Sequence, residues 1–191
     1  KEEMFDSYVY GVWLGDGDNH GSSITCSGRE VGKYLKKFCL NNNIDFRYKT
    51  HNGKTKKYWD FKLGGKRKGF KGCYTNTSAL SSFLIKNDLR HNKRILEEYK
   101  TSSIETRLNL LAGLLDTDGH LSKSVYYEII TKYDCLALDI IEICRSLGLA
   151  TSVRKKISGI KSTGFTGVYN RINIYGDISK IPCKVKSKKT N

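Results

Sequence analysis

Two apolar segments of this 191-residue chain end in an aspartate followed by glycine: Val9-Tyr-Gly-Val-Trp-Leu-Gly-Asp-Gly17 and Leu111-Ala-Gly-Leu-Leu-Asp-Thr-Asp-Gly119. In the first, Gly11 and Gly15 fall on one helical face; in the second, Gly113 and Thr117 repeat that spacing. Small residues at this interval let two helices meet backbone to backbone. Side-by-side packing then brings the C-terminal ends together, and with them Asp16 and Asp118. Neighbouring carboxylates repel each other unless a cation lies between them, and oxygen ligands suit Mg²⁺. In a basic protein such a pair points to phosphodiester hydrolysis, the metal activating water and stabilising the leaving oxygen. Seen singly, an Asp-Gly at a helix end is a cap and turn; its repetition is what suggests chemistry. Asp16-Gly-Asp18-Asn-His20-Gly21 does not read as a calcium loop, because His20 and Ser27 occupy the fifth and twelfth positions. His91-Asn92 has no second histidine at the spacing of an H-N-H-type nuclease.

The elements that must hold these acids also repeat. Leu35–Ile44 and Ile140–Leu149 share the pattern of an amphipathic helix running into a polar or glycine turn. Tyr58–Leu63 and Tyr169–Ile174 alternate like strands. All three pairs are displaced by about a hundred residues, with the drift that loop insertions produce. The chain reads as a tandem duplication, helix–strands–helix–strands, with halves at 1–100 and 101–191. At the join, Ser102 is the expected N-cap and Glu105 its capping-box partner. Tyr10 and Trp13 are expected to face the core of their half rather than the helix seam. The Gly- and Lys-rich stretches 64–72 and 158–167 read as exposed connections between strands.

Lys and Arg number 34 against 19 Asp and Glu, a net charge of +15, while 38% hydrophobic residues suffice for a core. That field favours a polyanion and argues against a basic small-molecule substrate. The strand 46–50 places Arg47 and Lys49 on one face and Phe46 and Tyr48 on the other. Lys54, Lys56, Lys57, Lys62, Lys66, Arg67, Lys68 and Lys71 form a basic hairpin region, matched in the second half by Arg154, Lys155, Lys156, Lys161 and Arg171. These are the expected nucleic-acid contacts, most of them to phosphates. No apolar run approaches the ~18 residues of a membrane span, so no membrane partner is expected. Lys1-Glu2-Glu3-Met4 does not read as a signal peptide. Six cysteines form no C-x-x-C pair, and the four histidines stand at no zinc spacing from them. Cys39 and Cys144 are expected as buried free thiols. Together these features suggest an intracellular, reducing location.

Leu111–Gly119 looks like a near-consensus LAGLIDADG motif and Val9–Gly17 resembles a divergent first copy, with Leu14 where the family carries an aspartate. The chain resembles the two-motif LAGLIDADG homing endonucleases, most closely the intein-encoded type. His91-Asn-Lys-Arg-Ile-Leu-Glu-Glu-Tyr99, Arg145-Ser-Leu-Gly-Leu149, Tyr175-Gly-Asp177 and Ile181-Pro182 carry the intein-type likeness. The resemblance implies an α+β fold: a pseudo-twofold duplication of αββαββα halves, with the motif helices at the central interface. Two antiparallel sheets would form a saddle on a long asymmetric site in double-stranded DNA, bound by a monomer. It implies Mg²⁺ as cofactor, with Mn²⁺ substituting, held by Asp16 and Asp118 and by the carbonyls of Gly15 and Thr117. It further implies double-strand cleavage across the minor groove with short 3′ overhangs, and one basic catalytic residue per half. Lys93 matches the first; within Lys184–Lys189, Lys189 aligns best and Lys188 is its near rival, otherwise a DNA contact. Relatives of this fold also serve as RNA maturases or DNA-binding regulators without cleavage. The chain opens at Lys1 and is too short for splicing halves as well, so it reads as the endonuclease portion of an intein and is not expected to self-splice.

Overall fold

The computed structural model describes residues 4–52, 57–64, 79–160 and 164–190. The sequence-predicted contacts Lys54, Lys56, Lys66, Arg67, Lys68, Lys71 and Lys161 lie outside the described residues, and Lys57 is described in its backbone only. The first half runs α1 (Ser7–Asp16), β1 (Ser23–Cys26), α2 (Arg29–Asn41), β2 (Phe46–Asn52), β3 (Lys57–Leu63) and α3 (Ala79–Lys86). A single turn, α4 (Glu97–Lys100), marks the join. The second half runs α5 (Ile104–Asp118), β4 (His120–Ser122), β5 (Tyr126–Thr131), α6 (Asp134–Ser146), β6 (Ala150–Ile160) and β7 (Phe165–Tyr175). Two short 3-10 turns follow, Ile178–Lys180 and Lys186–Lys188.

Helix α1 is apolar all round, as a helix enclosed on every side must be, and Tyr8 through Leu14 are all buried. Asp6 caps it by accepting from the Val9 N–H at 2.8 Å. Helix α5 begins one residue later than the sequence suggested. Its cap is Ser103, which accepts from the Thr106 N–H at 3.1 Å. Ser102 instead donates to the Tyr99 carbonyl at 2.6 Å and closes α4; two adjacent serines leave the cap to be decided by where the preceding turn ends.

The two helices pack by the small residues. A Cβ on Gly11 would overlap the Leu110 carbonyl oxygen and lie 3.0 Å from the Leu114 nitrogen, and one on Gly15 would lie 2.9 Å from Thr117 Cβ. Gly113 stands in the reciprocal relation to Tyr8 and Val12, so the seam has approximate twofold symmetry. Tyr10 and Trp13 face the core of the first half. Tyr10 Oη donates to the Arg94 carbonyl at 2.6 Å and Trp13 Nε1 to the Gly21 carbonyl at 3.0 Å.

Both sheets are antiparallel, ordered β1-β3-β2 and β4-β5-β7-β6. The first-half counterpart of β4 is reduced to one isolated bridge, Gly17 to Ile24. Helices α2 and α6 lay their apolar stripes, with Cys39 and Cys144 buried as free thiols, against one face of each sheet. The pairs Phe46–Leu63 and Tyr48–Phe61 belong to that face; Arg47–Lys62 and Lys49–Asp60 point the other way. In the second sheet Arg154–Arg171 and Lys156–Tyr169 share the outer face. Lys155 does not join them. Strand alternation turns it to the helix side, where its Nζ meets Asp134 Oδ1 at 2.8 Å. Among the described residues, no helix is long and apolar enough to cross a membrane.

Candidate active site and nucleic-acid interface

Both motif helices end in the same way. The N–H of Gly17 returns to the Trp13 carbonyl at 2.9 Å, and that of Gly119 to the Leu115 carbonyl at 3.0 Å. Each glycine lies so flat on the preceding turn that a Cβ would collide with it. The Asp-Gly pairs are therefore caps, and at the same time they leave Asp16 and Asp118 side by side at the end of the seam. The Asp118 Cγ lies 3.5 Å from where a Cβ on Gly15 would stand. Burial first, and then the Asp118 charge, raise the Asp16 pKa to about 7 against the pull of Lys188 and Lys93. Burial likewise raises the Asp118 pKa, against the pull of the same two lysines.

Each helix end holds one lysine. Lys93, only 4% exposed, donates from Nζ to the carbonyls of Trp13 (3.1 Å), Gly15 (3.1 Å) and Gly17 (2.8 Å). Burial lowers its pKa to about 8, although Asp118 and Asp16 favour its charge. On the other helix Lys188 donates to the carbonyls of Leu115 (2.9 Å), Asp116 (2.8 Å) and Thr117 (2.9 Å). Burial lowers its pKa too, opposed by Asp116, Asp16 and Asp118. The structure thus puts Lys188, the second choice of the sequence reading, in the place that mirrors Lys93. Lys189 is exposed. The turn Lys186–Lys188 decides which side chain points inward, and a run of lysines does not disclose that turn.

Sequence reasoning missed Asp116. It is 4% exposed and accepts from Tyr8 Oη (2.7 Å), the Lys184 N–H (2.7 Å) and the Val185 N–H (3.1 Å). The available signal was its contrast with Leu14, which occupies the matching place in the first motif.

Two clefts flank the acids. Lys93, Asp118, Lys132, Tyr133 and Tyr169 help to line one; Arg29, Thr117, His120, Ser187 and Lys188 help to line the other. Among the described residues, no three His, Cys, Asp or Glu side chains cluster as ligands. A cation here would be held by two carboxylates and by carbonyls. The Gly15 and Thr117 carbonyls each spend one lone pair on a lysine and keep a second. Few protein ligands, all oxygen, fit an ion that keeps water and phosphate in its shell, as Mg²⁺ does. Beyond the centre, Arg47, Lys49 and Lys62 share the outer face of the first sheet, and Arg154, Lys156 and Arg171 that of the second. Arg171 Nε also bonds Glu128 Oε2 at 2.7 Å, which offsets part of its charge.

Paired helices between two antiparallel sheets define an α+β, two-motif LAGLIDADG architecture. The chain matches the structure of I-DmoI in complex with DNA and Ca with a TM-score of 0.52 and 14% identity, covering 88% of this chain and 81% of that one. The corresponding values for I-DmoI in complex with DNA and Mn are 0.50, 18%, 88% and 88%. For the N-terminal LAGLIDADG domain of DUF199/WhiA they are 0.51, 10%, 91% and 78%. At such identities the likeness shows a shared fold. A family model described as homing endonuclease matches residues 94–180. No curated protein matches the chain.

Proposed function

We propose that this chain is a metal-dependent, site-specific endonuclease of double-stranded DNA. The observation that carries the reading is the convergence of Asp16 and Asp118 at the end of a glycine seam, each helix end carrying its own lysine. The resemblance to I-DmoI, whose structures hold DNA with Ca or Mn, and the family match over the second half support it.

A divalent cation held by Asp16 and Asp118, with the carbonyls of Gly15 and Thr117, supplies Lewis-acid stabilisation of charge on the phosphate oxygens. Mg²⁺ is the proposed ion, with Mn²⁺ substituting. The chain's own groups do the rest. The backbone-to-backbone seam fixes the separation of the two carboxylates. Lys93 and Lys188, one in each flanking cleft, place positive charge beside the phosphate of one strand each, so two lysines serve two cuts. Arg47, Lys49, Lys62, Arg154 and Lys156 hold the duplex through its backbone, a sequence-independent anchor that leaves base readout to neighbouring side chains. Both half-sites lie in one polypeptide, which suits action as a monomer wherever the host DNA lies. Short 3′ overhangs and an intein origin belong to the same reading and rest on the motif resemblance.

The test is a selection of cleaved duplexes from a randomised DNA library with Mg²⁺, using Ca²⁺ and the Asp118→Asn variant as controls. The expected result is one enriched site that, placed in a plasmid, yields linear product with the wild type alone. No enrichment with either Mg²⁺ or Mn²⁺, or equal product from the variant, would overturn the proposal.

A further inference from the structure

The geometry points to Asp116 as a positioning residue for Lys188, acting through the segment Cys183–Lys188 as a strap across the end of α5. Asp116 is buried, and its two carboxylate oxygens take the successive N–H groups of Lys184 and Val185 and the hydroxyl of Tyr8. Three donors in different directions fix both the place and the plane of the carboxylate, and charge-assisted bonds are the strong ones.

The rest of the strap is gripped from both halves. The Lys184 Nζ lies 4.3 Å from the Tyr8 ring centroid and 4.5 Å from that of Tyr34. Val185 packs on Gly28, where a Cβ would come within 3.1 Å of its Cγ2. Tyr127 Oη donates to the Lys188 carbonyl. From this anchored segment the Lys188 ammonium reaches the carbonyls of Leu115, Asp116 and Thr117.

The first half explains why only one motif keeps this aspartate. Lys93 needs no such strap. The segment that carries it is pinned through the Arg94 carbonyl to Tyr10 and through the Ile95 N–H to Asp139 Oδ2 at 2.7 Å. The place of Asp116 is accordingly filled by buried Leu14.

The effect on cleavage rests on the proposed endonuclease reading; the strap itself does not. Limited trypsin digestion of the full chain, with cleavage after Lys184, Lys186 and Lys188 read by mass spectrometry, tests the strap without DNA. Asp116→Asn should be cut there about tenfold faster than wild type, the order expected for loss of a charged hydrogen bond. Tyr8→Phe, which removes one hydroxyl, should fall between the two. Equal rates in all three proteins would overturn the strap.

Single-turnover cleavage of the selected duplex, with each strand labelled, tests the positioning. Asp116→Asn and Lys188→Ala should slow the same strand and be no worse combined than Lys188→Ala alone. Additive losses, or equal slowing of both strands, would show a merely structural role and overturn the inference. A wild type that cuts no duplex would sink the endonuclease reading, while the digestion result still decides the strap.

Discussion

A Cβ on Gly113 would overlap the carbonyl oxygen of Tyr8 on the facing helix and stand 2.9 Å from the Val12 nitrogen. The neighbouring atoms are backbone on a buried helix, so neither partner can yield by a rotamer change. Gly113→Ala should therefore cost about 3 kcal/mol of stability, the upper part of the usual range for overpacking. Gly11→Ala should do the same from the opposite helix. Urea unfolding measures this, and a midpoint equal to that of wild type for either variant would contradict the close seam.

Asp16→Asn should stabilise the protein while removing its activity. The Asp16 pKa is about 7 rather than 3.8 because burial, and then the Asp118 charge, disfavour the ionised form. A folded-state pKa above the unfolded one means that stability is lost as pH rises through this interval and that the full penalty stands above about 7. The variant should thus melt above wild type at pH ~8, with a smaller gap at pH ~5. Cleavage should fall by at least ~10²-fold, the scale for removing an electrostatic stabiliser from an active site. Calorimetry at the two pH values decides it; a variant that melts lower at pH ~8 would refute the buried-charge account.

Cation binding should weaken in acid. Below pH ~7 a proton competes for Asp16, so apparent Mn²⁺ affinity should drop about tenfold per pH unit, as titration calorimetry can measure. On the alkaline side Lys93, lowered to about 8 by burial, loses its charge. Cleavage should accordingly pass through a maximum between pH ~7 and ~8. Lys93→Met should flatten the alkaline limb and keep the acid one; an unchanged alkaline limb would exclude Lys93 from the step.

Lys155 should be silent in DNA binding, because it faces α6 and pairs with Asp134. Replacing Lys156 or Arg154 by alanine should weaken duplex binding and lower the salt dependence by about one counterion each. Affinity measured across a salt series distinguishes the three. A Lys155→Ala variant behaving like Lys156→Ala would mean that DNA is bound on the other face of the sheet.

Much of the framework was legible because it is written in local periodicity. The four-residue spacing of Gly11 with Gly15 and of Gly113 with Thr117 defined the seam, and strand alternation separated Phe46 and Tyr48 from Arg47 and Lys49. The same alternation sets Lys155 apart from Arg154 and Lys156, which a count of charge alone does not show. The αββαββα pattern implied a first strand in the N-terminal half, and only the Gly17–Ile24 bridge marks its place.

The sequence by itself determined the duplication, the apolar seam and the pairing of Asp16 with Asp118, since each follows from residues a few positions apart on a regular helix or strand. Tertiary structure alone decided that Lys188 rather than Lys189 turns inward, that Ser103 rather than Ser102 caps α5, and that Asp116 holds a strap. Those outcomes depend on the direction in which a turn releases the chain and on partners such as Tyr8, far away in sequence. No local pattern encodes the path by which the C-terminal segment returns to the end of α5; only packing against the first half fixes it.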